Sequence, residues 1–238
     1  MAPAATDAKP APDGLRVALH GHTLYLLPER CAYWEETRTL LVADCHFGKA
    51  ASFRHHGLAV PEGGIDDDLR RLETVLRRTG ATRLLIVGDF FHAPTGYRPE
   101  IMSALADWRA RHRHVRLTLV PGNHDRSLSR IPAEWAFEIA EKRHGDGDPF
   151  VFIHDPADAV VKGRFSGCHV AGHWHPAVGL GAGRTRRLTA PCFWHRPGLL
   201  VLPSFGTFTG SAVIGPEPGD RVYAVSAGKV LEVPEGLW

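Results

Sequence analysis

RLTLVPGNHD, residues 116–125, opens as an apolar strand and closes as a polar loop. A short apolar run bounded by Pro121 and Gly122 suits a strand buried in a sheet. Asn123, His124 and Asp125 follow it, and they are metal-ligand and acid–base residue types. Two earlier stretches have the same form: TLLVAD (39–44) delivers Asp44 to a loop, and RLLIVGD (83–89) delivers Asp89. Between them Ile65, Leu69, Leu72 and Leu76 fall at helical spacing over 65–79. Asp66, Asp67 and Asp68 occupy the first turn, where the helix dipole favours acids, and Gly80 is the stop. Ile101, Leu105 and Trp108 mark a second helix. Strands alternating with helices predict a parallel α/β sheet, and such sheets bind ligands at their carboxyl edge.

The flanks have a different character. LRVALH (15–20) and TLYLLP (23–28) read as short strands around Gly21. From about residue 150, FVFIHD, CHVAGH, RRLTA, LLVLP, RVYAVSA and KVLEV are short strands between Gly/Pro turns, which predicts a second, mostly antiparallel sheet. Two packed sheets with helices outside is the expected architecture, with residues 15–238 as one domain. The Ala/Pro-rich residues 1–14 read as a disordered tail without the apolar segment of a signal peptide. The longest apolar runs, such as LLIV at 84–87, are far short of the ~20 residues of a membrane helix. The expectation is a cytoplasmic protein with no membrane partner. Its four cysteines, widely spaced with no C-x-x-C pair, fit reduced thiols. A net charge of +2 neither requires nor excludes nucleic acid, whereas 15 histidines make their placement the informative question.

Five polar clusters fall at strand ends in chain order: Asp44 with His46, Asp89 after Gly88, Gly122-Asn123-His124-Asp125, His154, and Gly172-His173-Trp174-His175. Taken singly, each is an ordinary loop. Taken together, they match what a pair of divalent cations needs, a bridging carboxylate and several O and N ligands. Glycines before Asp89, Asn123 and His173 permit tight turns that aim side chains over the sheet edge.

Residues 39–176 resemble the calcineurin-like metallophosphoesterases, whose pattern D-x-H, G-D, G-N-H-[DE], H, G-H-x-H is complete here. The resemblance implies a four-layer α/β/β/α sandwich of two mixed sheets around a dinuclear centre. It places Asp44, His46, Asp89 and His175 on one metal and Asp89, Asn123, His154 and His173 on the other, with Asp89 bridging. Two cations about 3.5–4 Å apart lower the pKa of a bridging water, and the resulting hydroxide attacks phosphorus in line with the leaving oxygen. His124, next to a metal-holding Asn123, is assigned to that leaving oxygen. Asp125 either orients the His124 imidazole or caps its own loop.

Three longer segments, 48–64, 88–93 and 191–210, resemble the bacterial ligase-associated DNA damage response endonucleases. That likeness spans roughly 15–233. It implies a manganese-dependent phosphodiesterase acting on DNA beside a DNA ligase and a helicase; iron and zinc also tolerate these ligands. Lys49 and Arg54 follow the first metal loop closely enough to meet a phosphate. Arg109, Arg111 and Arg113, and Arg184, Arg186 and Arg187, either track a phosphate backbone or face water. Trp174 either stacks on a base or packs beneath its loop. His92 contacts substrate, orients a ligand or faces water. His55 and His56 face water, and Phe193 and Trp194 belong to the core. Other family chemistries are a nucleotide-sugar pyrophosphohydrolase like those of lipid A synthesis, a protein phosphatase, or a metal-free scaffold. The first lacks its apolar insertion at 127–149, the second lacks a peptide groove, and the third would need a ligand missing.

Overall fold

The computed structural model describes residues 13–55, 57, 64–92, 94–145, 149–159, 167–181 and 188–238. Residues 1–12 of the expected tail, and Arg184, Arg186 and Arg187, lie outside the described residues, as do His56 and the side chain of His55. The first sheet comprises β1 (Leu15–Leu19), β2 (His22–Leu27), β3 (Cys31–Trp34), β4 (Thr39–Ala43), β5 (Arg83–Val87), β6 (Arg116–Val120) and β7 (Phe137–Ile139), in that order. β1 to β4 pair antiparallel, and β4 to β7 pair parallel. The parallel half needs crossovers. A short helix α1 (Lys49–His55) and the long α2 (Gly64–Thr79) join β4 to β5, and α3 (Pro99–Arg111) joins β5 to β6.

Alternation along these strands explains why they read as continuous apolar runs. Leu40, Val42, Leu84, Ile86, Leu117 and Leu119 face α2 and α3, where Leu69, Leu72, Leu76, Ile101, Leu105 and Trp108 meet them. Leu41, Ala43, Leu85, Val87 and Val120 face the other way into a core shared with Phe150, Phe152, Val170, Phe193 and Tyr223 of the second sheet. α2 carries Asp66 and Asp67 in its first turn and Arg77 and Arg78 in its last, both favourable to the dipole. It ends at Gly80 with φ +61°, as expected.

The second sheet is built from β8 (Arg143–His144), β9 (Phe150–Ile153), β10 (Cys168–Ala171), β11 (Pro176–Leu180), β12 (Leu188–Arg196), β13 (Leu199–Val201), β14 (Ala212–Val213), β15 (Arg221–Ser226) and β16 (Lys229–Val233). It is more mixed than its short strands suggest, because β9–β10, β10–β13 and β11–β14 pair parallel. On its outer face small apolar clusters gather around Trp194 and Ile153, and no α-helix covers them among the described residues.

The in-register ends Ala43, Val87 and Val120 bring the loops after β4, β5 and β6 to one edge. The second sheet reaches the same edge. Ser204 bridges to Ala43, and the Gly172 N–H donates to the His154 carbonyl.

Candidate metal centre

All seven residues expected to hold metal converge at this edge. Asp44, His46 and His175 offer ligand atoms within 4.8 Å of one another, and so do Asp89, His154 and His173. Asp89 Oδ2 lies 3.6 Å from His46 Nε2 and 3.6 Å from His154 Nε2, between the two groups, where a bridging carboxylate belongs. Asn123 Oδ1 is 2.9 Å from His154 Nε2, and His173 Nδ1 is 3.0 Å from the same nitrogen.

The electrostatics fit a cation. Asp44 and Asp89 are buried, and burial, reinforced by Lys49 and the neighbouring rings, pushes the His46 pKa down to about 2. Burial also lowers His154. These imidazoles are therefore neutral ligands. Lys49, whose own pKa is lowered by burial, is the cation whose charge reaches both carboxylates. One ammonium against two buried carboxylates leaves negative charge that divalent cations would neutralise. Asp44 Oδ1 and His154 Nδ1, 3.6 Å apart, are buried without a hydrogen-bond partner.

Local backbone geometry concentrates here. Asp44, His46, Asp89, His173 and His175 are five of the ten non-glycine residues with positive φ among those described. Each such position costs about 1–3 kcal/mol and persists only where its surroundings enforce it. The glycines serve close approach more than turning. A Cβ on Gly122 would lie 2.1 Å from Asp89 Oδ1, and one on Gly172 would lie 2.6 Å from Asp44 Oδ2; of the three, only Gly88 has positive φ.

His92 and His124 form a third group with His46. Their rings stack at 5.1 Å, each beside the His46 ring. His92 Nδ1 lies 3.4 Å from His46 Nδ1, so it fixes the far side of that imidazole, and burial pushes its pKa down to about 4. The His124 backbone N–H donates to Asp89 Oδ1 at 2.9 Å. Asp125 takes the loop-capping role: its carboxylate accepts the backbone N–H groups of Phe90, Phe91 and Gly122, tying two loops together.

Arg54 is exposed on α1, five residues beyond Lys49 and about 140° around the helix from it. Trp174 packs against Trp194, with ring centroids 5.7 Å apart, in the cluster outside the second sheet. Arg109 is buried and donates to the backbone carbonyls of Trp135 and His112. Arg111 is the last residue of α3 and Arg113 follows it, at the amino end of β6, the sheet edge opposite the metal-type residues.

Three supporting contacts carried no sequence signal strong enough to find them. His173 Nε2 lies 3.8 Å from Asp155 Oδ2. His175 Nδ1 lies 3.1 Å from the Gly210 carbonyl, which fixes the tautomer and leaves Nε2 for a metal. The Phe205 and Gly206 N–H groups donate to the carbonyls of Ala43 and Asp44.

A family model for the calcineurin-like phosphoesterases matches residues 37–189, more than half of the chain. The chain belongs to that family. It is a metal-dependent phosphoesterase, and its two mixed sheets are the family's fold. The crystal structure of the Pseudomonas putida nuclease MPE is similar at 32% identity and TM-score 0.77, covering 92% of this chain and 99% of that one. A phosphoesterase from E. coli, Yfce, is 16% identical with TM-score 0.43, covering 82% of this chain and 97% of its own. No curated protein matches.

Proposed function

We propose that this phosphoesterase is a DNA endonuclease of the ligase-associated type, with Asp44, His46, Asp89, Asn123, His154, His173 and His175 holding two divalent cations, manganese first among them. The observation that carries the reading is likeness to a nuclease over 92% of the chain. When bound, the cations supply a nucleophile of lowered pKa and polarise the phosphoryl group. The chain's own residues do the rest. Asp44 and Asp89, both buried, would set the position of the cations. Lys49 places an ammonium beside both carboxylates, where it meets a non-bridging phosphate oxygen. His124, its backbone fixed on Asp89 and its ring against His92, gives a proton to the departing oxygen. Its work is cytoplasmic DNA repair, beside a ligase and a helicase.

The test compares plasmid, single-stranded and nicked DNA with bis-p-nitrophenyl phosphate in the presence and absence of Mn²⁺. Mn²⁺-dependent cleavage of DNA is expected, lost in Asp89→Ala while the circular dichroism spectrum is kept. Metal-independent cleavage, or hydrolysis of the small diester with none of any DNA, would sink the proposal.

A further inference from the structure

Residues 204–212 bond to Asp44 and to His175. Ser204, Phe205 and Gly206 bond the backbone of Ala43 and Asp44, the Gly210 carbonyl meets His175 Nδ1, and the Ala212 N–H donates to the His175 carbonyl. All of these holds run through backbone atoms of 204–212. The segment therefore positions Asp44 and His175 only as well as it is itself positioned.

Its anchor is on α2. Asp68 is buried, and its carboxylate accepts the Thr207 N–H at 3.2 Å, the Thr207 hydroxyl, and Arg71 Nη2 at 2.9 Å. Arg71 also donates to the Phe205 carbonyl and lies 4.2 Å over the Phe205 ring. Gly206 keeps the segment against the metal loop, because a Cβ there would sit 2.3 Å from the Cys45 carbonyl oxygen. Neither Asp68 nor Arg71 belongs to the ligand set.

We infer that Asp68 and Arg71 are positioning residues that latch residues 204–210 onto α2 and thereby set the affinity of the metal position formed by Asp44, His46 and His175. The effect on the Asp89–His154–His173 side is smaller, because Asp44 reaches it through the His173 backbone N–H and the His154 ring. The inference rests on the dinuclear reading above. A charged hydrogen bond onto a segment that orients a ligand acts as a ligand's own partner does, one contact further out, so loss of the Asp68 charge should weaken that position about tenfold.

The experiment is a Mn²⁺ titration of the metal-free full chain by calorimetry and by loss of the free-Mn²⁺ electron paramagnetic resonance signal. Wild type should bind two ions. Asp68→Asn should bind one ion nearly as wild type does and the second about tenfold more weakly, with activity regained at high Mn²⁺. Thr207→Val removes one donor at an exposed position and should shift the same step by a smaller factor, which keeps the test open if Asp68→Asn does not fold. Equal weakening of both steps, or no change in either, overturns the latch. A wild type that binds no Mn²⁺, Fe²⁺ or Zn²⁺ overturns the dinuclear reading instead.

Discussion

Gly88 and His154 adjoin with no room for a methyl group: a Cβ on Gly88 would lie 1.8 Å from His154 Nδ1. Gly88 also has φ +76°, a backbone conformation that strains any side chain. Gly88→Ala must therefore displace the His154 ring or the loop that carries Asp89. Phosphodiesterase activity should fall about 100-fold or more, the scale of losing a metal-orienting contact. Gly21→Ala is the control, with similar φ (+79°) and nothing within 4 Å of the new carbon. It should lose about 1 kcal/mol in chemical denaturation and keep full activity. Equal activity in the two variants would refute the steric argument.

This pair also marks what the sequence can and cannot disclose. Strands such as RLLIVGD were legible because burial on both faces forces a continuous apolar run, and the site was legible because hard cations demand particular side chains in order. That Gly88 serves space as well as turning depends on His154, which comes 66 residues later, just after β9 of the other sheet. The same limit hid Asp155, Gly210 and the Asp68–Thr207 contact, since pairing across layers leaves no local pattern. Arg109, Arg111 and Arg113 misled for the converse reason: Arg109 faces the interior from α3, whereas Arg111 and Arg113 lie at its end and just beyond, at the far edge of the sheet.

Trp174 lies between two metal-type histidines in sequence, yet its ring packs on Trp194 at an interplanar angle of 42°. Trp174→Phe should leave KM for single-stranded DNA within about twofold of wild type. Trp174→Ala should lower Tm by about 4–8 °C, the equivalent of about 2 kcal/mol in a chain of this size. A KM that rises tenfold in Trp174→Phe at unchanged Tm would restore base stacking.

Arg109 tests the correction to the arginine cluster. Its guanidinium satisfies two carbonyls that Met cannot reach, so Arg109→Met should lose about 2–4 kcal/mol in urea denaturation. DNA cleavage at 20 °C should be unaffected while the variant is folded. Arg111→Ala with Arg113→Ala, at the edge away from the metal-type residues, should alter neither stability nor cleavage appreciably. A drop in cleavage by that double variant, with its salt dependence flattened, would show that DNA reaches this edge.

Acid should destabilise the metal-free protein, and the sign follows from the histidines. Burial pushes His46 down to about 2 and His92 down to about 4, and it lowers His154 and His169 as well. Unfolded histidine takes its proton near 6.5. Between about pH 6.5 and pH 4 the unfolded chain therefore binds protons that these buried rings refuse, so unfolding is favoured as pH falls. Their stabilising contribution is complete above pH 6.5 and is lost as pH drops through the folded values. Tm measured in EDTA should fall steadily across that window. His169→Leu, on β10 and outside the ligand groups, should make the decline shallower by removing one such proton. Added Mn²⁺ should raise Tm most near neutral pH, because protons compete for the same nitrogens. Burial pushes the Asp125 carboxyl up to about 6, so it gains a proton in the folded chain and offsets part of this fall. A Tm in EDTA that stays flat from pH 7 to pH 4.5 even in Asp125→Asn would mean that these rings titrate normally, and the neutral-imidazole account of the metal centre would fail with it.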